Sequence, residues 1–358
     1  MPRRKRRSEF VFAPRRKEHH FFRNFLIILL VAAVALVLID LVDAHQISYQ
    51  TQYVTVADLP DDLENWTILC FSDLHGEELG SGQSEIASRL GTVSVSSVVF
   101  AGDMLSPDGD VSALLDLAAL IPSGTPMRYL PGDEDPSYLD SSIHSALSPY
   151  ADWALKLQDA GITILDEPIL YTRGKKNAAR IWFVPENLYS LDLDSFILPY
   201  QATSEKLHAK ESLTAEESAQ LRVADYQLER VARIRESIAS MLETDIQIAV
   251  THVPLTESYV RDMINYTDKD QVFSLRNVSL VLAGHLCAGQ LRIPFGSAVY
   301  VEGYGAFPED SRISGLRSVV TVPQYISPGL GASGVYPIRL RLFNSPGFTK
   351  IALTSKLK

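Results

Sequence analysis

Five short apolar runs, each ending in side chains able to bind metal, constrain this chain more than any other feature. The runs are Thr67–Phe71, Ser97–Ala101, 128–131, 245–250 and Val278–Ala283. Each is rich in Val, Ile, Leu or Phe and too short for a buried helix, the pattern of a strand covered on both faces. Helix-like spacers such as 111–121 and 142–160 lie between them. Strand–helix alternation predicts an α/β sandwich whose active groups gather at the carboxyl ends of strands.

The clusters themselves carry the chemistry. Asp73 and His75 follow the first run, and on an extended strand end residues two apart face the same side. Asp103 follows the second run, after a glycine that permits a tight turn. Asp133, Glu134 and Asp135 follow the third, His252 the fourth, and His285 and Cys287 the fifth. Carboxylate, imidazole and thiolate donors together suit Mn, Fe or Zn better than Mg or Ca, which prefer oxygen alone. One such cluster reads as structural; five in order do not. His45, His144 and His208 lack this setting and read as surface residues.

The segments SDLHG, AGD, PGDED, THVP and AGHLCAGQLRIPFG follow the order and spacing of the calcineurin-like metallophosphoesterase superfamily. The chain resembles its membrane-anchored bacterial branch, where the last motif reads like GHTHGGQIRLPF and the tail is similar to residues 325–346 here. The resemblance covers nearly everything from residue 67 onward. It implies a four-layer α/β/β/α sandwich with two divalent metal ions (Mn, Fe or Zn). Such a site hydrolyses a phosphomonoester, phosphodiester or pyrophosphate through metal-assisted attack of a bound hydroxide. By position, Asp73 and His75 would hold the first metal with Cys287, and Asp103 would bridge both. Asp133, His252 and His285 would hold the second.

The sequence also departs from that family. Its GNH(D/E) becomes Gly132-Asp133-Glu134-Asp135, so Asp133 replaces an asparagine ligand and Glu134 the histidine that assists the leaving group. Glu134 and Asp135 are the expected catalytic pair, with Glu134 able to give a proton only if acidic crowding raises its pKa. Cys287 replaces the second histidine of GHxH and shifts metal preference toward zinc or iron. Every replacement can itself bind metal, which favours a working enzyme. The alternative is a catalytically impaired relic that binds phosphate-containing ligands in the cell envelope.

Charge divides the chain. Its formal net charge is −10, yet residues 1–24 hold nine Lys/Arg against Glu9 and Glu18. The remainder is therefore strongly acidic, which argues against nucleic acid as a stable partner. Residues 25–39 are uncharged and apolar, and 25–42 is expected to be a transmembrane signal anchor between the basic cytoplasmic head (1–24) and a linker with a leading strand (43–66). A cleavable signal peptide is the rival, although 42–45 is a poor cleavage site. The anchor implies a single-pass protein of the cell membrane, its domain of 67–358 extracytoplasmic, and its short tether points to a lipid-linked substrate or another phosphate-bearing small molecule. An insertion at about 203–244 opens on a capping box at Thr214 and reads as a long helix, either a lid or a helix packed on the sheet. Cys70, inside an apolar run, reads as core, with a disulfide to Cys287 as the lesser alternative. Residues 327–331 with Arg339 read as turns rather than a phosphate loop.

Overall fold

The structure is a computed structural model that describes residues 21–44, 46–91, 94–140, 148–172, 179–334 and 340–356. The chain divides into two units, Met1–Val42 and Asp43–Lys358. The described residues of the first, 21–42, all belong to helix α1 (Phe21–Ala44). This corrects the expected anchor: among the described residues no helix is long and apolar enough to cross a membrane. The reason is length. The uninterrupted apolar run of 25–39 rises only about 22 Å as a helix, short of the roughly 30 Å of hydrocarbon in a bilayer. Arg23 and Asn24 close it at one end and Asp40 and Asp43 at the other.

The second unit holds fourteen strands among its described residues. They are β1 (Ser48–Thr55), β2 (Thr67–Phe71), β3 (Ser97–Ala101), β4 (Met127–Leu130), β5 (Ile162–Ile164), β6 (Ile169–Thr172) and β7 (Arg180–Pro185), then β8 (Ile246–Val250), β9 (Val278–Ala283), β10 (Tyr300–Val301), β11 (Gly305–Ala306), β12 (Gly315–Val319), β13 (Val322–Ile326) and β14 (Gly347–Thr354). One six-stranded sheet runs β1-β14-β2-β3-β4-β5 and another β12-β13-β9-β8-β7-β6, while β10 and β11 form a small hairpin. Strands β2 to β5 are mutually parallel, as are β7, β8, β9 and β13, so their carboxyl ends point the same way within each sheet.

Alternation along these strands explains the layering. Ile68, Cys70, Val99 and Ala101 of the first sheet share one core with Ile181, Phe183, Ile248 and Leu280 of the second. Their neighbours Leu69, Phe71, Val98 and Phe100 face the other way, onto α2 (Ser84–Leu90), α3 (Ser112–Ala119) and α4 (Asp152–Asp159). A period of two thus gives both sheet faces an apolar partner. On the far side of the second sheet, Trp182 and Val184 meet Ile234 of α6 (Ala215–Ser240), beside which runs α5 (Leu193–His208). Ala249 and Val281 meet Val260 of α7 (Glu257–Tyr266). The short α8 (Asp310–Ile313) precedes β12. The order is helix, sheet, sheet, helix.

The inserted helix therefore forms part of an outer layer. Its capping box is present: Glu217 N–H donates to Thr214 Oγ1 at 3.2 Å, and Thr214 N–H returns to Glu217 Oε2. Cys70 and Cys287 are both free and buried.

Candidate metal centre

The candidate ligands stand on loops that leave the strand ends. Asp73, His75, Asp103, His285 and Cys287 have φ between 46° and 71°. Residues with a side chain adopt this left-handed region at a cost and keep it only when the surroundings enforce it. Asp73 and His75 thus converge by a curled backbone and not by strand alternation. The enforcing bonds are visible. Asp73 N–H donates to the Gly102 carbonyl at 3.0 Å, His75 N–H to Asp103 at 2.9 Å, and Gly76 N–H to Met104 at 3.1 Å. Leu330 N–H reaches the Ser72 carbonyl at 3.1 Å, so residues 327–331 brace this turn as structural reasoning expects. Two glycines permit the close approach: a Cβ on Gly102 would lie 2.2 Å from His252 Nδ1, and one on Gly132 2.1 Å from Asp103 Oδ1. Arg339 lies outside the described residues.

Donor atoms gather in two groups. Asp103, Asp133, His252 and His285 form one, and Asp73, His75 and Cys287 the other; within each, the ligand atoms lie within 4.8 Å of one another. His75, Asp103 and Glu134 form an overlapping third set.

His252 reveals what such a site accepts. Its Nδ1 lies 2.8 Å from the Ala101 carbonyl, which only accepts, so that nitrogen carries the proton. The other nitrogen, Nε2, faces Asp103 Oδ2 at 2.9 Å and Asp133 Oδ1 at 3.0 Å. His285 Nδ1 stands 3.2 Å from that same Asp133 oxygen. A neutral ring here turns its lone pair toward two carboxylates, with His285 Nδ1 3.3 Å away, and positive charge relieves that crowding. A second proton can supply that charge: burial opposes it, but bonds to Asp103 and Asp133 and the charges of Asp73 and Asp103 raise the His252 pKa well above its ordinary value. The bond to His252 holds Asp133 below the usual carboxylate range, against its partial burial. A divalent cation supplies the same charge with more ligands satisfied.

The second group fits a cation for another reason. His75 is buried and its Nε2 has no hydrogen-bond partner. Burial, then the charge of Asp73, push the Cys287 thiol well above its ordinary pKa. An orphaned imidazole nitrogen beside a carboxylate and a thiol is a donor set for zinc or iron.

Glu134 and Asp135 occupy different places. Asp135 is saturated: it accepts from Asp103 N–H at 2.8 Å, Gly132 N–H at 2.7 Å, Leu105 N–H at 3.1 Å and the Tyr129 hydroxyl. Its burial raises its pKa, while these donors work to lower it. It ties the Asp103 loop to the Gly132 turn. Glu134 faces the site, with Oε2 3.6 Å from His75 Nδ1, and accepts at both oxygens, from the Ser333 hydroxyl and from Gly334 N–H at 3.3 Å.

Sequence reasoning missed three supporting residues. Buried Arg341 donates to the carbonyls of Cys287 (3.1 Å), Gly331 (2.8 Å), Pro328 (2.9 Å) and Asn344 (3.1 Å). Asn344 Nδ2 also bonds the Cys287 carbonyl at 2.7 Å. Ser333 holds Glu134. The available signal was a second arginine two residues beyond Arg339 in an otherwise apolar stretch. Beside His285 opens a cleft of about 880 Å³, lined in part by Val253, Leu286, Glu302, Tyr304, Arg312 and Arg317.

The sequence of residues 67–289 matches the calcineurin-like phosphoesterase family. That span is more than half of the chain and includes every candidate ligand above. The chain belongs to the calcineurin-like phosphoesterases. A member of this family is a phosphoester hydrolase that works with metal, and its substrate carries a phosphate ester. Among solved structures this phosphoesterase is similar to a phosphopantetheinyl hydrolase from Mycobacterium tuberculosis, at 16% identity over 74% of this chain and 89% of that one, with a TM-score of 0.35. So distant a likeness says nothing of substrate. A comparison with curated proteins finds no match.

Proposed function

We propose that this phosphoesterase hydrolyses an organic phosphomonoester, phosphodiester or pyrophosphate at a centre of two divalent cations. The observation that carries this reading is the convergence of Asp103, Asp133 and His285, at 2.9, 3.0 and 3.3 Å, on a His252 nitrogen whose proton lies on the other side of the ring. Asp73, His75 and Cys287 would hold one cation, Asp133, His252 and His285 the other, with Asp103 between them. Cations bound there would lower the pKa of a water and offset charge growing on the phosphoryl oxygens. The chain's own residues set the rest. Ala101 fixes the His252 tautomer, Asp135 fixes Asp103, and Glu134 stands at the mouth. The cleft beside His285 has the volume of an organic ligand's site and leaves room for the alcohol or second phosphate of the substrate. The idea of a lipid-linked substrate depended on a membrane tether and is not carried further.

The test is hydrolysis of bis-p-nitrophenyl phosphate and p-nitrophenyl phosphate by the purified full chain, with Mn²⁺, Zn²⁺ or Fe²⁺ and with metal content measured. Turnover that vanishes in Asp103→Asn is expected. Metal content without turnover for any ester tried would favour the binding-relic alternative.

A further inference from the structure

We propose that Asp73, His75 and Cys287 make one half of the centre a thiolate site, selective for Zn²⁺, Co²⁺ or Fe²⁺ over Mn²⁺ and Mg²⁺, with Arg341 as the positioning residue of Cys287. This deepens the metal-dependent reading and needs from it only that a metal centre exists.

Three observations meet here. The first is the donor set: carboxylate, imidazole and sulfur atoms within 4.8 Å of one another, against a neighbouring group that has no sulfur. Thiolate is a soft ligand and sorts cations accordingly, so the two halves are chemically unequal. The second is the buried, unpartnered His75 Nε2, which already lacks what a cation would give it. The third is Arg341. Its partners are backbone carbonyls, and among the described residues it forms no ion pair. These bonds tie the carbonyl of Cys287 to those of Gly331, Pro328 and Asn344 and so fix the backbone that carries the sulfur. When Cys287 binds, its S–H bond breaks, the sulfur–metal bond forms and one proton leaves to solvent.

The geometry is pre-set. Arg341 and Asn344 both hold the Cys287 carbonyl, at 3.1 and 2.7 Å, and Cys287 itself is kept at φ +46°. Cys287 is buried, at 2% exposure. Gly329 packs against both partners of the site, its Cβ position lying 3.2 Å from Asp73 Cβ and 3.3 Å from Cys287 Cα.

The experiment is a titration of chelator-treated full chain with Co²⁺, followed by absorption. Expected is a near-ultraviolet thiolate-to-cobalt charge-transfer band that saturates with binding and persists in Cys70→Ser. In Cys287→His, cobalt still binds, the band is gone, and the preference for Zn²⁺ over Mn²⁺ falls. Arg341→Gln, shown folded by circular dichroism, weakens Co²⁺ binding about 10–100-fold and alters the band. Cobalt bound by the unmodified chain with no such band overturns the proposal, whatever the variants do, as does loss of the band in Cys70→Ser. A band without hydrolysis leaves it standing and refutes the hydrolase reading; hydrolysis without a band does the reverse.

Discussion

Asp135→Asn tests whether the centre is held from beneath. The native carboxylate splits its donors unevenly, with three on Oδ2 (Asp103 N–H, Gly132 N–H and the Tyr129 hydroxyl) and Leu105 N–H on Oδ1. An asparagine that keeps its oxygen toward the three turns its amide toward Leu105 N–H, donor against donor. Because the site is only half-buried, that orphaned donor costs about 1 kcal/mol, the low end of the usual range. Alanine would orphan all four, about 4 kcal/mol, a large part of a typical domain's stability. Asparagine is therefore the usable variant. The effect on metal should exceed the effect on folding, since Asp103 loses its anchor and supporting bonds of this kind are worth about 10–100-fold in metal affinity. That loss removes roughly 1.4–2.7 kcal/mol of metal-linked stabilisation. Urea unfolding of the full chain, with and without saturating Zn²⁺, measures both. The midpoint without metal should fall slightly at constant slope, and the gain on adding the same excess of Zn²⁺ should shrink. Equal metal affinity in the variant and the parent would refute the claim that Asp135 works through Asp103.

Two further outcomes follow from the same geometry. Glu134→Gln should keep its Ser333 contact and reduce turnover only a few-fold if Glu134 is an anchor; a loss of ~10²–10⁴ in kcat would instead identify it as the leaving-group acid. Gly132→Ala drives a methyl to 2.1 Å from Asp103 Oδ1, so metal content by atomic emission should drop sharply while circular dichroism stays near that of the parent.

Much of this was legible because it is local. The runs 67–71, 97–101 and 278–283 are strands with the same limits, and those at 128–131 and 245–250 shift by one residue. Continuous Val, Ile and Phe spell a doubly covered strand, and polar residues directly after it spell a loop at the strand's end. The capping box at Thr214 was equally readable, being a contact of neighbours in sequence. The pairing of β1 with β14 was not, since nothing in 48–55 announces a partner near residue 350. Asp135 was readable as a residue and not as a role: four donors from four positions saturate it, and no pattern encodes that. Arg341 turns inward where an alternating strand would put it outside. The membrane expectation went astray on length, because an apolar run flanked by Arg23 and Asp40 reads like a span until its rise is compared with a bilayer.

The position of β14 has a consequence for how the molecule is made. It lies between β1 and β2, and Ser48 pairs with Gly347, 299 positions later (347 less 48). During synthesis the first sheet must wait with an open slot, two strand edges bare, until that segment leaves the ribosome. Arg341, Ser333 and the brace at Leu330 arrive in the stretch just before β14. A nascent chain that has not yet presented these residues thus lacks the parts that fix Cys287 and Glu134, so hydrolytic capacity waits for residues 330–354 to emerge and dock.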